Sequence, residues 1–211
     1  MIRFFLKFLS WCPGAFGLLL RQKIYPCCLG KCGRNVLFGR FVTFKGRKKI
    51  HIGNSVVIND HALLDAEVCR AGHFGITLED HVFVGSGTRV HCCGESIHVH
   101  NKANLGSECR IFADTPIVIG EHVLLAAYCL VGGKRDTIEK GNYEQQDLET
   151  VSSSAAETTI GNGCWLGVRA VFRSGVCIGD NTIIGAHAIV EHDLPAQVVA
   201  IGYPAEVLYS R

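Results

Sequence analysis

Acidic residues are missing from the front of this 211-residue chain. The first is Asp60, whereas residues 1–59 contain 11 Lys or Arg. The remaining residues carry 10 Lys or Arg against 19 Asp or Glu. Such a basic end predicts an anionic partner, either lipid or nucleic acid. Its aromatic residues cluster with aliphatic ones before residue 17, which favours lipid and predicts no nucleic-acid partner.

Long hydrophobic runs are also missing. The apolar stretch between Lys7 and Arg21 has 13 residues and contains Pro13 and Gly14, whereas a transmembrane helix needs about 20. No small-residue cleavage site precedes Arg21, which weakens a signal-peptide or signal-anchor interpretation. We therefore predict that residues 1–34 form a basic amphipathic segment, whose residues 1–30 contact a membrane peripherally, with Lys and Arg at lipid phosphates. The alternative is a helix packed on the domain's own apolar surface.

Proline is scarce, at 5 residues, whereas glycine is abundant, at 24. This mix favours short strands joined by tight corners over a helical bundle. The 11 cysteines are odd in number and lack zinc-ribbon spacing. They favour reduced thiols in the cytoplasm over a disulfide framework, which with the basic segment predicts a place on the inner membrane face.

From residue 50 onward an aliphatic or aromatic residue recurs every six positions, in six triplets: Ile52, Ile58, Leu64; Leu78, Val84, Val90; Val99, Leu105, Ile111; Ile119, Leu125, Val131; Ile160, Leu166, Phe172; and Ile178, Ile184, Val190. Two positions before the second and third members the residue is always small or β-branched, at Val56, Ala62, Val82, Thr88, Ala103, Cys109, Val123, Cys129, Cys164, Ala170, Thr182 and Ala188. This period excludes a helix, whose repeat is 3.6. Residues two apart in a strand share a face, so each unit is a short strand plus a corner.

The pattern predicts an all-β fold: a left-handed parallel β-helix of hexapeptide repeats with an N-terminal amphipathic helical segment. We expect about six complete coils over residues 35–195, a less regular opening coil around Val36, Phe38, Val42 and Phe44, and a C-terminal tail at 196–211. Cys109, Cys129 and Cys164 fall in the small inward slot and are interpreted as structural. His61, His81, His122 and His187 fall at outward corners.

The steps between triplets exceed 18 residues by different amounts, and all the extra residues fit the corner after the third member. The largest insertion, at 132–159, is polar and charged. A long polar loop on a rigid scaffold is a common place for function.

The stretch IGNGCWLGVRAVFRSGVCIGDNTIIGAHAIVEHDLPAQVVAIGYPAEVL resembles the closing segment of hexapeptide-repeat O-acetyltransferases that act on sugars and polysaccharides. The resemblance covers about residues 35–209. It implies a homotrimer that binds acetyl-CoA as acyl donor, with no metal, and acetylates a hydroxyl of a sugar or glycoconjugate. It also implies a loop histidine that acts as general base on the acceptor hydroxyl.

The chain departs from this family pattern at the loop, where close relatives carry a segment like VGGxHDF. Here the histidine slot holds Arg135, followed by Asp136, and no histidine lies between 132 and 159. Arginine stays protonated and cannot act as a base. Three explanations stay open. His122 or a neighbouring subunit's histidine serves as base; or Arg135 stabilises an anion while substrates are positioned electrostatically; or the chain is a catalytically silent relative with a binding or scaffold role.

The resemblance also implies a CoA-binding set made of Trp165, Gly167, Val168, Gly185, Ala186, Glu191, His192 and Glu206. The last three replace residues that are often cationic, which predicts weaker contact with the CoA phosphates. A γ-type carbonic anhydrase would need three zinc-binding histidines. His91, His98 and His100 are close in sequence, but the Cys92–Cys93–Gly94 corner between them does not resemble that family.

Overall fold

The structure is a computed structural model that describes residues 9–69, 75–133 and 156–211. Its strands form three parallel sheets, which the chain visits in turn. Sheet A consists of β1 (Lys31–Cys32), β4 (Ile50–Ile52), β7 (Ile76–Leu78), β10 (Ile97–Val99), β13 (Ile117–Ile119), β16 (Thr158–Ile160) and β19 (Cys177–Ile178).

Sheet B is the longest and continues to the C-terminus. It consists of β2 (Leu37–Phe38), β5 (Val57–Ile58), β8 (Phe83–Val84), β11 (Asn104–Leu105), β14 (Leu124–Leu125), β17 (Trp165–Leu166), β20 (Ile183–Ile184), β22 (Val198–Ile201) and β23 (Glu206–Ser210). Sheet C consists of β3 (Thr43–Lys45), β6 (Leu63–Asp65), β9 (Arg89–Cys92), β12 (Arg110–Ala113), β15 (Leu130–Gly132), β18 (Val171–Phe172) and β21 (Ile189–Val190).

The chain therefore winds through seven coils of three strands, stacked into a parallel β-helix. The opening coil expected around Val36 and Phe38 is present, but it is more regular than expected, because all three of its strands pair in register with the second coil. Pairing begins at Lys31, slightly before the predicted boundary at residue 35. The predicted tail at 196–211 is also structured, because β22 extends sheet B and β23 pairs antiparallel to it.

The core is the column of residues that the six-residue period selected. All 18 triplet residues are at most 2% exposed, and all twelve small or β-branched partners are at most 1% exposed. The thiols of Cys109, Cys129 and Cys164 point inward and donate to carbonyl oxygens of the next coil at 3.0–3.2 Å. Each coil buries its apolar residues only by stacking on its neighbours, so the coils stabilise one another.

Two of the three corners use left-handed backbone. Between sheets A and B the non-glycine residues with φ near +60° are Asn35, Ser55, His81, Lys102, His122 and Asn181, and between sheets B and C they are Phe41, His61, Glu108, Tyr128, Arg169 and His187. The four predicted corner histidines are all among them. The third corner, between sheets C and A, receives the insertions, as expected from the triplet steps.

Helix α1 (Gly14–Cys28) packs against the first coil of the β-helix. Tyr25 is 4% exposed and meets the rings of Phe38 and Phe44 edge-on, at centroid distances of 5.2 and 5.5 Å. Arg21 is 3% exposed and donates to the carbonyl oxygens of Phe38, Leu9 and Cys12. The interpretation of Arg21 as a lipid contact is therefore wrong, because packing on the domain, the alternative considered, buries its guanidinium.

Among the described residues, no helix has both the length and the apolar character needed to cross a membrane.

Candidate active site

The largest insertion leaves the β-helix at the C–A corner, after β15. Gly132 and Gly133 have left-handed backbone there, with φ of +79° and +88°. A Cβ at Gly132 would lie 2.1 Å from the carbonyl oxygen of Phe112, so glycine is required where this strand passes the preceding coil.

Asp114 lies beside this departure point and is 9% exposed. Its Oδ1 accepts hydrogen bonds from the backbone N–H of Thr115 at 3.1 Å, the backbone N–H of Gly133 at 3.4 Å, and the hydroxyl of Ser174. These donors come from three different coils. We call Asp114, Gly133 and Ser174 the loop root. All three bonds use Oδ1, and a carboxylate has a second oxygen that is also a hydrogen-bond acceptor.

The outward residues of sheet C form a row that runs along the molecule past the loop root. Strand pairing aligns its members across the coils. This sheet C row consists of Lys45, Asp65, His91, Phe112, Gly132, Arg173 and Glu191.

Ion pairs occupy both ends of the sheet C row. Lys45 Nζ lies 2.9 Å from Asp65 Oδ2, and an Arg173 guanidinium nitrogen lies 2.5 Å from Glu191 Oε1. Asp65 is 3% exposed, and a buried polar group of this kind is costly unless it is paired. Both carboxylates at the ends of the row are thus paired.

His91 lies within the row, half-buried between Asp65 and Phe112, with its ring centroid 6.0 Å from that of Phe112. Burial lowers the pKa of His91 below 6.5; Asp65 opposes this shift and Lys45 reinforces it. The imidazole is therefore neutral at pH 7 and able to accept a proton.

Cys93 is the potential nucleophile in this region. Burial, together with the charges of Asp114 and Asp65, raises the pKa of Cys93 to about 12. The thiol is thus protonated at neutral pH, and a protonated thiol is a poor nucleophile. The region favours base catalysis by His91 over covalent catalysis by Cys93.

The predicted catalytic residues lie in different places. Arg135 and Asp136 fall outside the described residues. His122 is exposed at the A–B corner, with φ of +56°, and not at the C–A corner that carries the loop. Within one chain the structure does not bring His122 to the loop root.

The predicted CoA-binding residues fall into two groups. Trp165, Gly167, Val168, Gly185 and Ala186 lie together on sheet B and at the B–C corner. Trp165 and Val168 are 51% and 42% exposed. A Cβ at Gly167 would lie 2.5 Å from the backbone nitrogen of Ala186, so this glycine also serves the close stacking of two coils.

The other three members of the predicted set lie apart from this group. Glu191 ends the sheet C row in its ion pair with Arg173, and His192 follows it as an exposed residue. Glu206 is exposed in β23, opposite Ile201. The ion pair means that Glu191 does not present an unpaired negative charge.

Sequence reasoning did not assign His91, Asp114 or Ser174 to the site. A usable signal was present, because each lies at or just beyond the third strand of a coil, where the insertions occur. Applying the six-residue register to outward positions places His91 in line with Asp65 and Arg173.

The chain was compared with known proteins. A family model described as "Bacterial transferase hexapeptide (six repeats)" matches residues 157–192, which span β16 to β21. The galactoside O-acetyltransferase of Escherichia coli K12 is 31% identical over 115 residues, covering 54% of this chain and 54% of that protein. A putative colanic acid biosynthesis acetyltransferase, WcaF, of Escherichia coli K12 is 29% identical over 107 residues, covering 51% of this chain and 54% of the relative. The match thus spans about half the length of these curated relatives.

Among solved structures, AntD, an N-acyltransferase from Bacillus cereus in complex with dTDP and 3-hydroxybutyryl-CoA, superposes with a TM-score of 0.56 at 15% identity, over 90% of this chain and 88% of AntD. The polySia-specific acetyltransferase NeuO superposes with a TM-score of 0.51 at 16% identity, over 85% and 80% of the two chains. At such identities the likeness concerns the fold. The predicted resemblance is confirmed, and this chain is a left-handed β-helix of hexapeptide repeats whose sequence relatives include proteins named galactoside O-acetyltransferase and putative colanic acid biosynthesis acetyltransferase.

Proposed function

We propose that this chain is a CoA-dependent acyltransferase that moves an acetyl group from acetyl-CoA to a hydroxyl of a sugar or glycoconjugate, in the cytoplasm. The observation that carries the proposal is the loop root, where a buried carboxylate is held from three coils at the corner where the longest polar insertion of the sequence begins. The acetyltransferase relatives support the reaction class.

In this proposal the residues of the C–A corner have different roles in the reaction. Asp114 accepts a hydrogen bond from the acceptor and holds it in place. The neutral imidazole of His91 removes the proton as the hydroxyl oxygen attacks the thioester carbonyl carbon. The C–S bond then breaks, and the departing CoA thiolate recovers a proton from the imidazolium. Arg135 and Asp136, which belong to the insertion and lie outside the described residues, are proposed to stabilise the negative charge that develops on the carbonyl oxygen and to orient the acceptor.

CoA is proposed to lie against Trp165, Gly167, Val168, Gly185 and Ala186, where exposed apolar side chains adjoin close-packed glycine corners. Its phosphates need cations. The cation proposed to contribute is Arg173, whose side chain is 18% exposed and is paired with Glu191, beside His192. Glu206, on β23, adjoins this end of sheet B.

A homotrimer is proposed from the exposed face of sheet B. Its outward residues form a mostly apolar row, in register across the coils: Leu37, Val57, Phe83, Asn104, Leu124, Trp165, Ile183 and Val199. Leu37, Phe83, Leu124 and Trp165 are 38–51% exposed. Contiguous apolar surface of this kind is typical of an interface, and closed rotational symmetry is the usual way to cover it.

Peripheral membrane contact is proposed through the outer face of α1. Phe16 and Leu19 are 68% and 58% exposed, and Lys23 lies one turn further on the same face. A cavity of about 530 Å³ near the end of the helix is lined by Cys27, Cys28, Gly46, Arg47, Lys48 and Lys49. Apolar side chains beside a basic cavity suit an interface with anionic headgroups.

The activity is tested by calorimetric titration of the full-length chain with acetyl-CoA, followed by thiol release in the presence of candidate sugars. We expect saturable binding and acceptor-dependent release. Failure to bind acetyl-CoA would overturn the proposal.

A second function, a catalytically silent binding or scaffold protein, is favoured by Arg135 in the position of the family's loop histidine. Replacement of Arg135 by His distinguishes the active acyltransferase from the catalytically silent protein. If Arg135 takes part in transfer, R135H lowers thiol release while acetyl-CoA binding persists. If the site has decayed, the wild type binds without turnover and R135H raises it.

A further inference from the structure

One set of equivalent corner positions, one in each coil, carries different residue types in different coils. The stacking of the β-helix does not require this difference. The residue after the last inward aliphatic of each sheet A strand is Gly33, Gly53, Glu79, His100, Gly120, Gly161 and Gly179, in coil order. Five of the seven positions are glycine because the space is tight: a Cβ at Gly53 would lie 2.5 Å from Asp80 Oδ1, and one at Gly161 would lie 2.6 Å from Asp180 Oδ1.

The third and fourth coils place a carboxylate and an imidazole at these crowded positions, one directly above the other. A second imidazole, His98, projects from the outward face of β10 two residues before His100. Glu79 Oε1 lies 2.8 Å from His98 Nε2 and 3.2 Å from His100 Nδ1. The two rings stack with centroids 4.4 Å apart. All three potential ligand atoms lie within 4.8 Å of one another.

We propose that Glu79, His98 and His100 form a binding site for a divalent transition-metal ion, best represented by Zn²⁺, that links the third and fourth coils. Two imidazole nitrogens and one carboxylate oxygen are a donor set that zinc accepts. Bonds of about 2.0–2.2 Å in tetrahedral geometry put ligand atoms roughly 3.4 Å apart. The 3.2 Å separation between Glu79 and His100 is close to this spacing, whereas the 2.8 Å separation between Glu79 and His98 is that of a hydrogen bond and widens when an ion enters.

The surroundings hold the carboxylate and leave the site accessible. The backbone N–H of Asn101 donates to Glu79 Oε2 at 3.1 Å, which orients Oε1 toward the histidines in the manner of a second-sphere contact. The side chains of Glu79, His98 and His100 are 28%, 41% and 35% exposed, so an ion can enter from solvent and retain water at a fourth position.

This site is separate from the candidate active site. It lies at the A–B ends of β7 and β10, whereas the loop root lies at the C–A corner, where the sheet A strands begin. The three ligands come from one chain and include a carboxylate. The inference therefore does not rest on the proposed acyl transfer, and it contradicts the expectation from sequence that no metal is bound.

The test is a Zn²⁺ titration of the full-length chain against a chromophoric chelator, after stripping with a chelator and in a reductant that contains no thiol. We expect one equivalent of zinc per chain. The double variant Glu79→Gly/His100→Gly installs the residue that the other five coils carry, so we expect it to fold and to bind that equivalent at least tenfold more weakly. The matched control His187→Asn removes an exposed corner histidine and is expected to bind as the wild type does.

Two further measurements distinguish metal bound at this site from metal bound by any of the 11 cysteines. Co²⁺ bound in place of Zn²⁺ is expected to show no thiolate charge-transfer band in the near ultraviolet. Zn²⁺ is expected to raise the Tm of the wild type and of His187→Asn, but not that of the double variant. The proposal is overturned if the wild type takes up no equivalent, if the double variant binds zinc as tightly as the wild type, or if the cobalt spectrum shows thiolate ligation.

Discussion

Single residues in this chain acquire their roles from their place in the six-residue register. Two histidines illustrate this. His122 lies at an exposed corner with φ of +56°, whereas His91 lies on a strand, half-buried next to Asp65. Burial lowers the pKa of His91 first, and the charges around it only modify the shift. The same side chain is a solvated turn residue in one position and a neutral base in the other.

Replacement of His91 by Asn is expected to lower kcat for acetyl transfer by roughly 10²- to 10⁴-fold, the usual contribution of a general base. In the wild type the base must be deprotonated, and its pKa lies below 6.5. We therefore expect kcat/KM to rise with pH through a midpoint below 6.5 and then level off. His81→Asn, at an exposed corner, is the control. An unchanged kcat and pH profile in H91N would exclude His91 as the base.

At the scale of elements, strand register determines which side chains point into the core and therefore contribute most to the free energy of unfolding. Ile119 and Val118 are neighbours in β13 on opposite faces; Ile119 is fully buried, whereas Val118 is partly exposed. Ile119→Ala is expected to lower the free energy of unfolding by about 2–5 kcal/mol because it leaves a cavity in the column. Val118→Ala is expected to cost much less. Urea denaturation of both variants measures the difference, and equal losses would contradict the inward column.

Helix α1 shows how one buried charge fixes an element in place. The guanidinium of Arg21 satisfies carbonyl oxygens of Phe38, Leu9 and Cys12. Arg21→Ala leaves these acceptors buried and is expected to cost roughly 1.5–3 kcal/mol, the range for hydrogen bonds to charged groups. Lys23→Ala, two residues along on the exposed face, is the matched control. Chemical denaturation measures the free energy of unfolding of both variants. A loss of stability no greater in R21A than in K23A would show that the helix does not depend on this contact.

The core could be predicted from sequence because it repeats. Every coil places its inward residues at the same six-residue spacing, so each triplet supports the register of the others. The same register also predicted the corner at which the insertions occur. The role of Arg21 could not be predicted, because its three acceptors lie 9, 12 and 17 residues away and no local pattern links them. Asp114 and Ser174 likewise meet across 60 positions of sequence. Their contact depends on the path that the inserted residues take at each corner, and this path is visible only in the folded structure.

At the scale of the whole molecule, the apolar row on sheet B predicts how copies associate. Trp165 is 51% exposed in that row. Trp165→Glu places a charge in the proposed interface and is expected to convert a trimer into monomers, measured by sedimentation velocity. Glu157→Lys is the control, because residue 157 lies outside the row. A wild type that sediments as a monomer, or a W165E variant that remains a trimer, would contradict the proposed assembly.

A crystal structure of the full-length chain with bound acetyl-CoA tests most directly whether the C–A corner of the β-helix is the site of acyl transfer. We expect the thioester to lie at the loop root, with its carbonyl carbon within reach of a hydroxyl held by Asp114 and deprotonated by His91. A thioester found at the A–B corner beside His122, remote from Asp114, would contradict it.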